Sequence, residues 1–460
     1  MITVNRLANP SVLNGLHSNF QGPKTKNIAN ITPSVHNNYR KVPHWAFKGV
    51  AFMGNNDVTV KVGSINLETY REPAKAAVKD ITERAGVKGQ FLNWINVLPD
   101  NQIKQLDEIY ELAGKAKTEG FTDIAILGIG GSRHTTEAMV KLLGIDSKVH
   151  FYSGIDDDSF ERFAKTFDPK KTKFLVVSKS GGTLETTVAY ENAKKLLEKE
   201  LGTKDLSDRF IAMTDVSSEK SKLRQIVDSG EIKLSGLVHD DVGGRFSIFD
   251  DATLFTLAYV GVDKNVVKRM LQSSINAQKE FLNPNIQENM ALQLATFNSI
   301  SKVKGNNKHF VEYFGDAFSG ATLWEKQLKN ESLKAKISTD TNVGPGYLHY
   351  NAEADLDKNN RDSFFTFVYP KTNDLVTSAV VKGVINAYSA KHPVSQIEIK
   401  DYSPESIAKF FELKHFETLY TGNILRQLEG EVTDKSSALP EVLQPNVEIY
   451  KKEVKSELSK

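Results

Sequence analysis

The first half of the chain alternates short apolar segments with helical patterns. Four continuously apolar segments end in small or polar residues, and they span 124–127, 149–152, 174–177 and 210–213. Apolar residues at helical spacing lie before and between them, over about 66–85, 101–119, 136–143 and 184–201. Short apolar strands that alternate with helices are typical of a parallel sheet covered by helices on both faces.

A second alternation of the same kind fills the rest of the chain. It predicts helices near 251–281, 285–303, 376–391, 403–430 and 446–458, and strands at 309–313, 364–368 and 397–399. We therefore predict an α/β protein with two domains, each a mainly parallel sheet flanked by helices in a three-layer αβα sandwich.

The same patterns suggest where the domains begin and end. The first domain with its preceding helices spans 46–250, the second spans 251–435, and a C-terminal helix lies within 436–460. Residues 1–45 are rich in Asn, Pro, Ser and Gly without a sustained period. We expect this N-terminal arm to be disordered or to wrap another surface.

Composition limits the classes of function. The chain has 460 residues, and 59 Lys and Arg against 57 Asp and Glu leave a net charge of +2, which disfavours a dedicated nucleic-acid-binding protein. The absence of Cys excludes disulfides, thiolate metal sites, cysteine nucleophiles and iron–sulfur clusters. No apolar run approaches the ~18 residues of a membrane span, and the N-terminus lacks a signal or transit pattern. We therefore expect a soluble, cytoplasmic protein without a membrane partner.

Two loops that directly follow predicted strands are candidates for ligand binding, because open α/β sheets bind ligands beyond the carboxyl ends of their strands. Gly128–Ser132 (GIGGS) has glycines that let a backbone approach a ligand, but Arg133 replaces the last glycine of a dinucleotide fingerprint. Ser178–Thr183 (SKSGGT) offers three hydroxyls and two glycines before a helix, which suits a phosphate group. It lacks the spacing of a nucleotide P-loop, so a phosphate outside a nucleoside triphosphate fits better. Either loop could instead be no more than a tight turn.

Arg245 and Glu331 are candidates for catalysis. Arg245 follows paired glycines in DVGGRFS and carries a permanent cation, which could stabilise developing negative charge or form a surface salt bridge. Glu331 shares a helical face with Trp324 and Leu328 in WEKQLKNES. That face partly desolvates the carboxylate, which suits a general base; a solvated carboxylate at a helix end is the alternative.

His349 and Lys451 are two further candidates. His349 lies in the glycine-rich segment GPGYLHY, which predicts a loop histidine with either an acid–base or a structural role. Lys451 shares a helical stripe with Val447 and Val454, whereas Lys452 falls on the wet face. The stripe predicts an inward-facing amine that meets an acidic or phosphate partner or else snorkels to solvent.

Five segments in this order resemble the landmark blocks of the glucose-6-phosphate isomerase (phosphoglucose isomerase) family. They read GIGGS, SKSGGTLET, DVGGRFS, WEKQLKNES and QPNVEIYKK, and FLNWINVLP resembles a segment that precedes them. The resemblance implies two sugar-isomerase (SIS) domains and the reversible, glycolytic conversion of glucose 6-phosphate to fructose 6-phosphate. It also implies a homodimer whose active sites use a histidine from the neighbouring subunit, and neither a metal nor an organic cofactor.

The resemblance further implies roles for particular residues. Glu331 would move a proton between C1 and C2 as the general base, Arg245 would stabilise the cis-enediolate, and His349 and Lys451 would assist ring opening and closure. Three hydroxyl residues would bind the phosphate: Ser178, Ser180 and Thr183. Four residues would line the sugar site: Gly130, Ser132, Gln327 and Gln444.

Two alternatives stay open. The chain could be a hexose-phosphate isomerase of altered specificity, for example one that also takes mannose 6-phosphate, or a non-catalytic SIS-type protein that senses sugar phosphates. The joint presence of Glu331, Arg245 and Lys451 favours an enzyme, because a sensor needs the phosphate loop but no base. The incomplete dinucleotide fingerprint and the absent P-loop disfavour a nucleotide-dependent enzyme.

Overall fold

The computed structural model describes residues 57–63, 66–118 and 120–460, so the predicted arm over 1–45 lies outside the described residues. The described residues form ten strands: β1 (Val58–Val62), β2 (Asp123–Leu127), β3 (Val149–Tyr152), β4 (Thr172–Val177), β5 (Phe210–Thr214), β6 (Leu234–Leu237), β7 (Lys308–Tyr313), β8 (Ser338–Val343), β9 (Ser363–Pro370) and β10 (Val394–Ile399). They also form fourteen α-helices: α1 (Arg71–Arg84), α2 (Leu98–Ala116), α3 (Gly131–Leu142), α4 (Asp157–Ala164), α5 (Leu184–Leu201), α6 (Lys222–Asp228), α7 (Asp251–Val260), α8 (Lys264–Phe281), α9 (Met290–Val303), α10 (Ser319–Leu333), α11 (Pro345–Asp355), α12 (Leu375–Ser389), α13 (Pro404–Leu428) and α14 (Val447–Glu457). Within this described part, no helix combines the length and the apolar character that a bilayer crossing requires.

The first sheet is parallel throughout and has the strand order β3-β2-β4-β5-β6. Every residue of β4 and β5 is buried, and alternate residues of β2 belong to two separate apolar clusters, one on each face. Burial on both faces explains why these strands read as continuous apolar runs. The chain passes from β2 to β3 on one side and returns to β4 on the other, so a crevice for ligands lies at the carboxyl ends of β2 and β4.

The second sheet repeats this topology with one change. Its order is β1-β10-β9-β7-β8, and all of its strands are parallel except β1, which pairs antiparallel with β10 at the edge. Strand order reverses between β7 and β9, as it does between β2 and β4. Strand β1 precedes the first sheet in sequence but belongs to the second.

Helix α13 forms the centre of the core. Its residues are buried without interruption from Ser406 to Arg426, and it packs against α8, α9 and α10. Charged residues inside this packing are paired, since Lys329 of α10 contacts Glu417 and Lys414 contacts Glu325 at 2.6 Å. Removing one member of a buried pair leaves a charge without a partner, so these pairs fix α10 against α13.

Helix α10 also packs against α3, which follows β2 in the first sheet. Gly320 makes the close approach feasible, because a Cβ at this position would lie 2.6 Å from the backbone oxygen of Glu137. Helix α3 follows β2 and helix α10 follows β7, and each of these strands lies where the strand order of its sheet reverses. The two helices therefore meet, and the candidate site is built around their contact.

The predicted fold class is confirmed, because the described residues form two mainly parallel sheets flanked by helices. Seven predicted strands correspond to β2, β3, β4, β5, β7, β9 and β10. The stretch predicted as helical over 251–281 contains two helices, because Gly261 adopts a φ of +93° and ends α7. The patterns do not predict β1, β6 and β8. Strand β6 is only half-buried, and β8 has the polar sequence STDTNV, so neither has the continuous apolar run of a buried strand. The domain boundaries at 250 and 435 stay predictions.

Candidate active site

The loop between β2 and α3 brings separate backbones close together. Gly131 begins α3, and a Cβ on it would lie 2.1 Å from the carbonyl carbon of Gly244. Gly130 has a φ of +58°, and a Cβ there would lie 2.9 Å from Gln327 Nε2. Two of the predicted lining residues, Gly130 and Gln327, therefore lie side by side, and Ser132 is the second residue of α3.

The hydroxyl-rich loop Ser178–Thr183 joins β4 to α5 at the other side of the same crevice. The backbone N–H of Gly181 donates to Ser178 Oγ at 3.0 Å, and that of Gly182 donates to Ser180 Oγ at 3.2 Å. Thr183 is the N-cap of α5, yet its side chain makes no capping hydrogen bond; its Oγ1 lies 3.4 Å from Ser178 Oγ. Hydroxyls grouped before a helix N-terminus, at the reversal of strand order, suit an anionic ligand.

Arg245 is buried, with 2% of its surface exposed, and each of its nitrogens has a different partner. Nε donates to Ser332 Oγ at 2.9 Å, Nη1 to Glu331 Oε2 at 3.0 Å, and Nη2 to the backbone oxygen of Glu441 at 2.6 Å. Trp324 Nε1 donates to the backbone oxygen of Arg245 at 3.0 Å and holds the turn on α10. Burial lowers the pKa of Arg245, and the neighbouring Glu331 opposes that shift. The guanidinium is therefore a fixed, desolvated cation.

Glu331 connects this cation to the glycine loop. Its Oε1 accepts a hydrogen bond from Gln327 Nε2 at 2.9 Å, and its side chain keeps 22% exposure, so a ligand can reach it. Gln444 Oε1 lies 3.5 Å from Arg245 Nη1. The structure thus brings together Gly130, Arg245, Gln327, Glu331 and Gln444. A carboxylate accessible from solvent beside a buried cation can remove a proton next to a carbonyl group and stabilise the anion that forms.

The sequence patterns do not single out three residues of this network: His134, Ser332 and Glu441. His134 Nδ1 lies 3.2 Å from Gln327 Oε1, and burial together with Arg133 lowers the pKa of His134, which favours the neutral ring. His134 follows GIGGS by two residues, and Ser332 ends WEKQLKNES, so both lie within reach of the recognised segments. Glu441 contributes to the Arg245 site through a backbone oxygen, for which side-chain chemistry offers no signal.

His349 and Lys451 differ from their predicted settings. The prediction of a loop for His349 is wrong: GPGYLHY begins α11, because Pro345 occupies the first helical position, and His349 is exposed. The prediction that Lys451 faces inward is also wrong, since α14 contains no buried residue and Lys451 Nζ contacts Glu448 Oε1 at 2.9 Å on the surface. Among the described residues, neither side chain forms a hydrogen bond with Glu331 or Arg245.

Fold and site define a two-sheet α/β protein with a carboxylate and a buried arginine beside the crevice of its first sheet. The chain belongs to the phosphoglucose isomerase family, whose family model matches residues 94–411.

Curated relatives with this match include enzymes from staphylococci. The glucose-6-phosphate isomerase of Staphylococcus saprophyticus is 27% identical over 278 residues, which cover 59% of this chain and 61% of that protein. The glucose-6-phosphate isomerase of Staphylococcus aureus is 28% identical over the same shares of both chains. The chain thus spans about three fifths (61%) of the length of these relatives.

Solved structures show the same fold over most of the chain. A glucose-6-phosphate isomerase from Chlamydia trachomatis matches with a TM-score of 0.72 and 15% identity, covering 89% of each chain. A hypothetical protein from Thermus thermophilus matches with a TM-score of 0.73 and 21% identity, covering 86% of this chain and 96% of the other. At these identities the likeness establishes the fold of two mainly parallel sheets flanked by helices.

Proposed function

We propose that the chain catalyses the reversible isomerisation of glucose 6-phosphate to fructose 6-phosphate. Membership of the phosphoglucose isomerase family supports this activity, as do the names of the curated relatives. The observation that carries the proposal is the contact of 3.0 Å between Glu331 Oε2 and the buried Arg245 Nη1. A protein that only binds sugar phosphates has no need of a carboxylate beside a buried cation.

In the proposed reaction Glu331 is the general base. Its carboxylate takes the proton from C2 of the open-chain aldose, and the electron pair of that C–H bond forms the C1–C2 double bond of an enediolate with its charge on O1. The O2 proton passes to O1, and Glu331 returns its proton to C1 while the C2–O2 double bond forms. Arg245 stabilises the enediolate, because its positive charge is held in place before the reaction begins.

The proposal assigns the phosphate group of the substrate to the loop between β4 and α5. Its hydroxyls and the N–H groups at the start of α5 would bind the phosphate through Ser178, Ser180 and Thr183. The sugar would lie between this loop and Glu331, where four residues would line it: Gly130, Ser132, Gln327 and Gln444.

The proposal includes a homodimer, because the two residues assigned to ring opening are exposed within one chain. His349 on α11 is followed by Tyr350, which is 68% exposed, and Lys451 on α14 lies near Ile449, which is 64% exposed. Large apolar side chains exposed on the same helices are typical of an interface. In a two-fold dimer each subunit would lend His349 to the site of the other, and a covered α14 would bring Lys451 to a site.

Activity of the variant Glu331→Gln tests the assignment. A coupled assay that converts fructose 6-phosphate to glucose 6-phosphate should find kcat at least about a thousandfold lower, because the amide cannot accept the proton. Calorimetry should find fructose 6-phosphate bound with nearly unchanged affinity, since the phosphate loop is intact.

Glu405→Gln is a matched control for this variant. Glu405 also pairs with an arginine, Arg269 Nε at 2.7 Å, but at the start of α13. It should retain wild-type kcat. Full activity of Glu331→Gln would overturn the role of the base, and a wild-type chain that binds fructose 6-phosphate without converting it would support the non-catalytic sensor instead.

A further inference from the structure

Four polar side chains converge beside the turn that carries Arg245. His239 follows β6, Asp250 and Asp251 lie at the start of α7, and Gln102 lies on α2. His239 Nε2 lies 2.9 Å from Asp251 Oδ1 and 3.5 Å from Asp250 Oδ1. Gln102 Nε2 lies 2.8 Å from Asp251 Oδ1 and 3.2 Å from His239 Nε2. His239, Asp250 and Asp251 each offer one possible ligand atom, and these three atoms lie within 4.8 Å of one another.

Two buried oxygens of this cluster have no hydrogen-bond partner among the described residues. Asp250 is 4% exposed, and its Oδ1, the atom that faces His239, accepts no hydrogen bond. An aspartate at an N-cap ordinarily accepts a backbone N–H of its helix, but Asp250 caps α7 without such a bond. Gln102 Oε1 belongs to a fully buried amide and is also without a partner; exchanging Oε1 and Nε2 by rotation would aim this oxygen into the cluster.

The charges of the cluster are not balanced by the residues around it. Asp250 and Asp251 are adjacent buried carboxylates, and His239 is the one basic side chain in contact with them among the described residues. A buried carboxylate without a cation is unfavourable, and a divalent ion would remove that penalty.

We propose that His239, Asp250, Asp251 and Gln102 bind one divalent transition-metal ion, with Zn²⁺ or Mn²⁺ suited to their nitrogen and oxygen donors. Around an ion with bonds of about 2.0–2.2 Å, ligand atoms lie about 3–3.5 Å apart. The four contact distances given above span 2.8 to 3.5 Å, and one possible ligand atom from each of His239, Asp250 and Asp251 lies within 4.8 Å of the other two. One imidazole with carboxylate and amide oxygens is a set that both ions accept. The His239 side chain is 17% exposed, which leaves an entry path from solvent.

The ion would have a structural role. It would join the end of β6 to the start of α7, and the chain between them includes the turn Gly244–Phe246 with Arg245. Closing this segment at both ends would restrict Arg245 to the position in which it contacts Glu331. The site does not depend on the proposed function, because it needs no substrate.

Metal binding by the full-length chain tests this proposal. After dialysis against a chelator, calorimetry with Zn²⁺ alone and with Mn²⁺ alone should find one ion bound per chain, and the bound ion should raise the melting temperature. His239→Gln and Asp250→Asn should each weaken binding at least about a hundredfold, because losing only an outer-shell partner of a ligand already costs about tenfold to a hundredfold and these residues are proposed to contact the ion directly.

His150→Gln is the matched control. His150 Nε2 contacts Asp123 Oδ2 at 2.9 Å, as His239 does Asp251, but no second carboxylate lies in that pair. This variant should bind the ion like the wild type. X-ray absorption on the zinc-loaded wild type reads the ligands without any substitution, and it should show one imidazole among oxygen donors. The proposal is wrong if neither ion binds stoichiometrically, if His239→Gln binds like the wild type, or if the zinc shell contains several imidazoles.

Discussion

Arg245 combines burial with three directional contacts, and this combination determines what it can do. Its nitrogens reach a carboxylate, a hydroxyl and a backbone oxygen on Glu331, Ser332 and Glu441. A planar guanidinium serves three separate acceptors at once, whereas a lysine amine is a single point charge. Position, as well as charge, is therefore built into this residue.

We expect Arg245→Lys to retain the fold but lose catalysis. A lysine amine cannot make all three contacts of the guanidinium, so its positive charge would lie away from the enediolate. We therefore expect kcat to fall about a hundredfold to a thousandfold, the range for losing a preorganised electrostatic group. Steady-state kinetics with fructose 6-phosphate measure this change. The exposed Arg269→Lys, which faces Glu405, is the control and should stay within twofold; a wild-type kcat for Arg245→Lys would show that position is unimportant.

At the scale of elements, the proposed phosphate-binding loop Ser178–Thr183 depends on Gly181 more than on Gly182. Gly181 has a φ of +62°, and a Cβ there would lie 2.1 Å from the backbone nitrogen of Leu223. Gly182 has an ordinary φ, and its Cβ would meet Ser180 Oγ at 3.7 Å, an ordinary contact distance. The loop can therefore accommodate a side chain at position 182 but not at position 181.

Gly181→Ala should raise KM for fructose 6-phosphate at least about tenfold. The left-handed conformation costs an alanine about 1–2 kcal/mol, and the contact with Leu223 moves the loop away from the phosphate. Gly182→Ala should leave KM within twofold of the wild type. Equal KM values for the two variants would contradict the assignment of the loop.

Another element-level feature lies under α11, the helix that carries His349. Glu312 on β7 is fully buried, accepts a hydrogen bond from Asn342 Nδ2 at 3.2 Å, and interacts with Tyr347 of α11. Burial raises the pKa of Glu312 from 4.5 to about 7. Between these values the folded chain binds more protons at this site than the unfolded chain. The free energy of unfolding therefore falls as pH rises through that window.

Replacing Glu312 should remove this dependence. The wild type should lose about 2 kcal/mol between pH 5 and pH 8 from this group, and Glu312→Gln should lose correspondingly less. Urea unfolding at both pH values gives the comparison. Glu353→Gln, on the exposed surface of α11, should behave like the wild type. An unchanged pH dependence in Glu312→Gln would show that this carboxyl group is ionised when folded.

At the scale of the whole molecule, both proposed ring-opening groups, His349 and Lys451, are exposed on the surface of one chain. Helix α14 has no buried residue, and its exposed apolar side chains include Ile449 at 64% and Tyr450 at 51%. A second copy that covers α11 and α14 would bury these side chains and complete each site with a histidine from its neighbour.

Mixing two inactive variants tests this arrangement. Glu331→Gln and His349→Gln, unfolded together and refolded in equal amounts, should recover about a quarter of wild-type activity, because half of the dimers are mixed and each has one intact site. Each variant refolded alone should stay inactive. Sedimentation should show dimers in every sample, and a mixture without recovered activity would place His349 outside the neighbouring site.

Much of the fold follows from local patterns. Seven strands and most of the long helices lie where periodicity predicts them, since a continuous apolar run or a helical stripe reflects burial of that segment alone. Strand β8 is not predicted because its sequence, STDTNV, is polar. It forms a strand because its backbone pairs with β7, and its composition does not indicate this pairing. The helical stripe through Lys451 is an opposite case, in which a pattern predicts burial that one chain does not show. A periodic apolar face shows which side chains point the same way, but it does not show what packs against them.

The sequence alone determined the alternation of strands and helices, the glycine- and hydroxyl-rich loops after β2 and β4, and the family segments, because each is encoded within a few neighbouring residues. Only the tertiary structure decided that Arg245 meets Glu331, that Gln444 lies beside them, and that His239 faces Asp250 and Asp251. These contacts join segments that are distant along the chain. Their geometry depends on how helices and sheets pack, and no local pattern carries that information.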